Sequence, residues 1–289
     1  MLFFCKRLHI NNGLRSSLTK IGISEFQDFI NYSGGKLVSR PSKRHVRTLY
    51  LDVAGQKRKY FLKQTGIQSL QVILKALRRL QAPHSDTRRE VLLLELFRAQ
   101  GIPVMDSVAW GEYTVFGWPV RGFLLVEEVV GREFVDVYRD APLRIRRRLM
   151  WVHGELMGTL HQRGIDSKVH PRDLVCISPD YSTFRKCLVV IDRERGLNRP
   201  VNISLMQRGK TLAEIWVKGA FAIGRGERSE LLAFLSGYFT ASGKSGFSRE
   251  MLENLVDLAS RRAAGILATD DRFASLRPDF KEKYGIPQE

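Results

Sequence analysis

Four side chains follow one another along the 289-residue chain in an order that suits one kind of chemistry: Lys63 in YFLKQ, Glu90 in RREVLL, Asp173 in HPRDL and Asp192 in VVIDRE. Moving a phosphoryl group requires charge to be neutralised at the donor phosphates, a metal ion held against them, and a group beside the acceptor hydroxyl that takes or orients its proton. A lysine ending a strand can reach phosphate oxygens, and a glutamate on a helix can orient that lysine. An aspartate in a loop can serve the hydroxyl, and a later aspartate can hold magnesium. Each residue alone also has an ordinary reading: a solvated strand end, an exposed helix acid, a turn residue. Their order, and the change between them from strand-like to helical text, carries the expectation.

The elements that must position these residues can be read from periodicity. Two apolar or aromatic runs in VRTLYLDVAGQKRKYFLKQ flank Ala54-Gly55-Gln56 and predict a hairpin with Lys63 near the end of its second strand. A capping pattern at Ser85-Asp86 opens a helix through TRREVLLLELFRAQ that stops at Gly101, with Pro103 beyond. This helix carries Glu90 and, as a weaker alternative partner for the lysine, Glu95. Short strands follow in DSVAWGEYTVFGWPVRGFLLVEEVVG. After Gly131 the text is mostly helical, with Ile145, Leu149, Val152, Leu156 and Leu160 marking one buried face. The stretches KVHPRDLVCIS and CLVVIDRERG interrupt it as a loop and short strands. Residues 67–80 predict a basic amphipathic helix, either an ordinary surface helix or one that meets anionic head groups. Residues 1–30 lack a clear period and are expected to be a loosely held extension.

Composition narrows the partners. Against 30 Asp and Glu stand 47 Lys and Arg, a formal charge of +17, which favours polyanions: nucleotides, phosphorylated glycolipids, an anionic membrane or nucleic acid. Three cysteines without paired spacing argue against a disulfide framework or structural zinc and for a reducing compartment. No stretch approaches the roughly 20 apolar residues of a membrane span, and the apolar run at the start falls short of a secretory signal. No G-x-S-x-G elbow is present, and the histidines show no ligand spacing with the cysteines.

From about Gly34 to Asn198 the chain resembles the lipopolysaccharide core kinases, bacterial enzymes related to protein kinases that phosphorylate inner-core sugars. The carriers are GGKLVSR before the hairpin, RREVLLLELFRAQGIPV, the hinge-like FLLVEEVVG, LHQRGIDSKVHPRDLVCI and LVVIDRERG. The resemblance implies an α+β, protein-kinase-like two-lobed fold: a β-rich N-lobe over residues 31–128 and an α-rich C-lobe over 129–289. It implies ATP and Mg2+ as cofactors, with Lys63 on the α and β phosphates and Glu90 as its ion-pair partner. Asp173 would accept or orient the proton of the sugar hydroxyl, and Asp192 would hold magnesium. Backbone groups of Glu127, Glu128 and Val129 would meet the adenine edge.

Two departures stand out. A proline separates His170 from Arg172, and Ser178 stands where a protein kinase has a metal-binding Asn and this family often has His; its hydroxyl is the second candidate metal ligand. The expected function is therefore an ATP-dependent kinase of a lipopolysaccharide inner-core sugar, heptose or Kdo. It would be cytoplasmic, with peripheral contact at the cytoplasmic face of an anionic inner membrane. The alternatives are a kinase of another substrate and a catalytically weakened nucleotide-binding module. Nucleic acid, which only the net charge suggests, ranks behind these.

Overall fold

In the computed structural model the described residues are 4–39, 44–67, 74, 82–192, 199–223, 227–242 and 249–270. The expected basic helix at 67–80 lies outside them, apart from its first residue and residue 74. The chain divides into two compact units: Met1–Arg98 with Val104–Val129 and Asp192–Glu194, and Ala99–Pro103 with Val130–Ile191 and Arg195–Glu289.

The first unit is built on a six-stranded antiparallel sheet. Its strands are β1 (Phe4–Ile10), β2 (Leu37–Ser39), β3 (Arg44–Val53), β4 (Gln56–Thr65), β5 (Ser107–Val115) and β6 (Trp118–Glu127), in the order β1-β5-β6-β4-β3-β2. The β3–β4 hairpin turns at Ala54-Gly55, and its register sets Val46 opposite Lys63 and Arg44 opposite Thr65. Side chains alternate across a strand, so Tyr60, Leu62 and Gln64 face one way and Phe61, Lys63 and Thr65 the other. Leu62, Phe123, Leu125 and Leu49 form a core with Leu14, Leu18, Phe26 and Phe29, which come from the segment holding α1 (Arg15–Lys20) and α2 (Phe26–Asn31). Phe29 stacks on Phe123 at 4.0 Å between centroids. Gln64 Nε2 donates to the carbonyls of Phe29, Ile30 and Tyr32, satisfying the open end of α2.

Residues 4–30 correct the expectation of a loose extension. Phe4–Ile10 pairs with β5 along its whole length, and Leu14, Leu18, Ile23, Phe26 and Phe29 are buried. The period was invisible because the segment is short: one edge strand exposed on both faces, then two helices of about two turns each.

On the opposite face of the sheet lies α3 (Asp86–Ala99), capped by Ser85, whose Oγ accepts from Arg88 N–H at 3.2 Å. Thr87 Oγ1 meets Thr65 Oγ1 at 3.4 Å, which ties the start of α3 to the Lys63 face. Gly101, with φ of 63°, ends the helix as a glycine terminator should.

The second unit contains a small sheet, β7 (Arg132–Glu133), β8 (Leu174–Cys176) and β9 (Leu188–Val190), and the helices α4 (Phe134–Asp140), α5 (Leu143–Gln162), α6 (Phe184–Cys187), α7 (Leu205–Ile223), α8 (Arg228–Ser242) and α9 (Arg249–Thr269). Helices α5 and α8 approach backbone to backbone. A Cβ on Gly154 would lie 1.9 Å from Phe234 O, one on Gly158 2.3 Å from Tyr238 O, and one on Gly237 2.0 Å from Trp151 O. Only hydrogen at these three positions permits that contact. Helices α7 and α9 share a core of Ala213, Val217, Ala263 and Leu267. Cys5, Cys176 and Cys187 are free thiols. Among the described residues no helix is long and apolar enough to cross a membrane.

Candidate functional site

Three of the four chemistry-bearing residues come together in the first unit. Lys63 points from β4 toward α3, where its Nζ lies 2.5 Å from Glu90 Oε1. Glu90 is fully buried and Lys63 nearly so, which makes this an ion pair with little access to water. Glu95, one turn and more further on, is exposed and lies 4.0 Å from Arg88, away from the lysine. Burial pushes the Glu90 carboxyl above its usual range, while Lys63 and Arg44 pull it back. Asp192 completes the group: its Oδ1 is 3.3 Å from the same Lys63 Nζ, and its side chain is 54% exposed.

Asp192 has φ of 59°, in the left-handed region that Asp tolerates better than most residues. Among the described residues the other non-glycines with positive φ are Ala54 and Phe116, both in hairpin turns. Backbone strain of this kind concentrates at functional sites, and here it falls on the residue whose carboxylate meets Lys63.

Arg44 is the member the sequence reading missed. Its Nη2 is 3.1 Å from Glu90 Oε2 and 3.4 Å from Asp192 Oδ1, so two cations and two carboxylates form one network. A signal for it existed. Counting strand pairs back from the Ala54-Gly55 turn puts Thr65, two residues from Lys63 and on its face, opposite Arg44.

The hinge-like segment is fixed by its own backbone. Glu127 N–H donates to Asp106 O and Glu128 N–H to Lys59 O, both at 3.0 Å. Their side chains pair with Arg58 at 3.1 Å and Lys59 at 2.6 Å. Among the described residues no backbone carbonyl accepts from Val129 N–H. Of the three residues expected at an adenine edge, Val129 is thus the one whose N–H the backbone does not use.

Asp173 belongs to the second unit and is held differently. Residues Pro171–Asp173 form a single 3-10 turn in which Pro171 takes the first position, where its missing N–H costs nothing. Asp173 Oδ2 accepts from His170 N–H at 2.9 Å, and its carbonyl accepts from Ile191 N–H at 2.8 Å. The ladder β8–β9, with Leu174 opposite Val190, continues through that last bond and ends one residue short of Asp192. The inserted proline packs on α7: a Cβ on Gly219 would sit 3.4 Å from the Pro171 ring. Lys168 pairs with Glu214 of α7 at 2.6 Å. From α5, His153 Nε2 lies 2.9 Å from Val169 O and must carry the proton to bond it. Burial holds His153 near a pKa of about 4, so the ring is neutral. Nothing in the spacing of His153 along the chain marks this bond, since its partner is a backbone carbonyl.

Ser178 sits past the end of β8, its Oγ accepting from Asp180 N–H at 3.1 Å in a turn. Among the described residues no group of three or more His, Cys, Asp or Glu side chains gathers as a metal cage. Magnesium bound to a nucleotide needs few protein ligands, one or two carboxylates with phosphate oxygens and water. A half-exposed carboxylate such as Asp192 fits that requirement.

A β-sheet unit with a buried strand-lysine to helix-glutamate pair, and a helical unit with an aspartate in a turn before a short strand, define a protein-kinase-like phosphotransferase. The profile of the lipopolysaccharide kinase (Kdo/WaaP) family matches residues 33–200, more than half of the chain. The protein belongs to that family and acts on a hydroxyl of a sugar. No curated protein sequence matches it. Among solved structures, "WaaP in complex with acyl carrier protein" aligns at 23% identity over 90% of this chain and 99% of that one, with a TM-score of 0.60. The bifunctional kinase-methyltransferase WbdD aligns at 14% identity over 79% of this chain and 49% of that one, with a TM-score of 0.36. The first likeness shows the shared kinase-like fold.

Proposed function

We propose that the protein transfers the γ-phosphoryl group of ATP to a hydroxyl of a lipopolysaccharide inner-core sugar, heptose or Kdo. The observation that carries this reading is Lys63, buried and oriented by Glu90 at 2.5 Å, with the exposed Asp192 carboxylate against the same ammonium. That combination offers a fixed cation for phosphate oxygens and an anion for magnesium. Lys63 binds the α and β phosphates, Glu90 orients it, and Asp192 holds magnesium, which when bound screens the charge on the phosphates. Val129 N–H, between Glu128 and the second unit, is the donor for the adenine edge. Asp173 takes the proton of the acceptor hydroxyl as the sugar oxygen bonds to phosphorus and ADP leaves. Ser178 is a further ligand only if its hydroxyl leaves the turn with Asp180. The acceptor is carried on lipid at the cytoplasmic face of an anionic membrane, and the charge of +17 favours approach to both.

The test is transfer of label from γ-labelled ATP, with magnesium, to purified core lipopolysaccharides ending in Kdo or in heptose. Label in one of them, resistant to protease, is the expected result. ATP binding without transfer to any core acceptor sinks the acceptor assignment.

A further inference from the structure

The β5–β6 hairpin turns through Phe116 and Gly117, with φ of 51° and 78°. Two positive φ values in a two-residue loop make a type I′ turn, whose first position favours Asn or Asp because a bulky side chain there strains the backbone. The β3–β4 hairpin has the same geometry, with Ala54 at 52° and Gly55 at 78°. There the strained position holds the smallest side chain, with Asp52 and Lys57 alongside. At the β5–β6 turn it holds a phenylalanine that is 64% exposed. The β5–β6 turn thus places a bulky, exposed apolar ring where the backbone favours a short polar side chain.

Phe116 has company. Its ring lies 6.2 Å from that of Phe4, which is 58% exposed. The registers align Phe4, Val115 and Trp118, the last 43% exposed, as one row on one face of the sheet. The next row inward is Lys6, Tyr113 and Arg121. Lys6 and Arg121 are exposed and, among the described residues, meet no carboxylate. The acid of β5, Glu112, is buried and spent on Ser85 N–H and His84. Aromatic side chains therefore project first, with cations directly behind and no exposed acid between them.

We infer that this hairpin tip, with Phe4 beside it, docks the protein on an anionic lipid bilayer. Phe and Trp rings settle at the boundary between acyl chains and head groups, and Lys and Arg one row back reach lipid phosphates. Exposed rings backed by two exposed cations complement an anionic surface with an apolar interior, whereas a second copy of this chain, itself at +17, would repel them. The docking surface stands on its own geometry; only the lipid-borne acceptor as the reason for it rests on the kinase reading.

Cosedimentation of the full chain with vesicles of phosphatidylethanolamine and phosphatidylglycerol tests it, against vesicles of phosphatidylcholine alone. Binding to the anionic vesicles that weakens with salt is expected. Phe116→Asn with Trp118→Ser should lower that binding at least tenfold, and Lys6→Glu with Arg121→Glu should do the same. Phe116→Asn alone relieves the turn, so its thermal midpoint should hold or rise while binding falls. Equal binding of wild type and variants overturns the inference, as does wild type that stays in the supernatant. Loss of a homodimer in the Phe116→Asn, Trp118→Ser variant overturns it in favour of a second copy as the occupant. Transfer to a deacylated core acceptor without vesicles separates the two claims: variants should keep it, and a wild type that binds vesicles yet lacks it sinks the kinase reading alone.

Discussion

Lys63 in the first unit and Asp173 in the second are fixed by opposite means. Lys63 is held by charge, buried against Glu90 with Arg44 and the exposed Asp192 carboxylate beside it. Asp173 is held mainly through its backbone and packing: a 3-10 turn, a ladder bond to Ile191, the Pro171 ring on α7 and an uncharged His153, with the Lys168–Glu214 pair tying the same loop to α7. Breaking a buried ion pair strands a charge and costs stability, whereas a carboxylate held through its backbone can change its chemistry without loosening the fold. Function and stability should therefore be coupled at Lys63 and separable at Asp173.

The largest effect is expected at Asp173. Asn keeps an oxygen to accept from His170 N–H, so Asp173→Asn should preserve the turn, the thermal midpoint and ATP binding. Turnover should fall by about 10²–10⁴, the usual contribution of a positioned base. A drop in midpoint comparable to that of a Lys63 variant would break the contrast.

Lys63→Met comes next. It leaves Glu90 buried with Arg44 at 3.1 Å as its remaining partner, so urea unfolding should show a loss of about 3 kcal/mol, the low end for a broken buried pair. Arg44→Ala leaves the shorter bond to Lys63 in place and should cost about 2 kcal/mol, the usual worth of a hydrogen bond to a charged group. Equal losses for the two variants would mean that the four groups act as one unit rather than as a pair with a bystander.

How far the sequence revealed this follows from the same contrast. Charged residues at strand and helix positions are visible in text, and the order of Lys63, Glu90 and Asp192 along the chain marks them; Arg44 is legible only by counting pairs back from the hairpin turn. Neutral positioning leaves no such trace. His153 reads as one more residue on the α5 core face, and Pro171 reads as an insertion rather than as the first position of a turn. Gly154, Gly158 and Gly237 look like helix weaknesses until the α5–α8 contact shows what a methyl group would strike. Residues 1–30 hid because edge strands and short helices offer too few periods to count. Phe116 could have been suspected from FGW between two apolar runs, but its cost appears only with the sign of φ.

The smallest effect sharpens the neutral side of the comparison. Burial lowers His153 from 6.5 to about 4, and it lowers His161, which shares a 2.8 Å bond with Tyr238, to about 3. Folding thus favours the uncharged rings, and the unfolded chain binds protons that the folded chain does not. Their contribution is complete above pH 6.5 and is lost as pH falls, levelling off below about 4 for His153. In the first pH unit below 6.5 each ring should cost about 1 kcal/mol of stability. Gln at position 153 can still donate to Val169 O but cannot titrate. Urea unfolding of His153→Gln across this range should therefore show a pH dependence shallower than wild type by about 1 kcal/mol, with turnover at neutral pH close to wild type. If the slope is unchanged, His153 binds protons equally in the folded and unfolded chains; if it steepens, the ring is protonated in the fold and the Asp173 turn rests partly on charge, as Lys63 does.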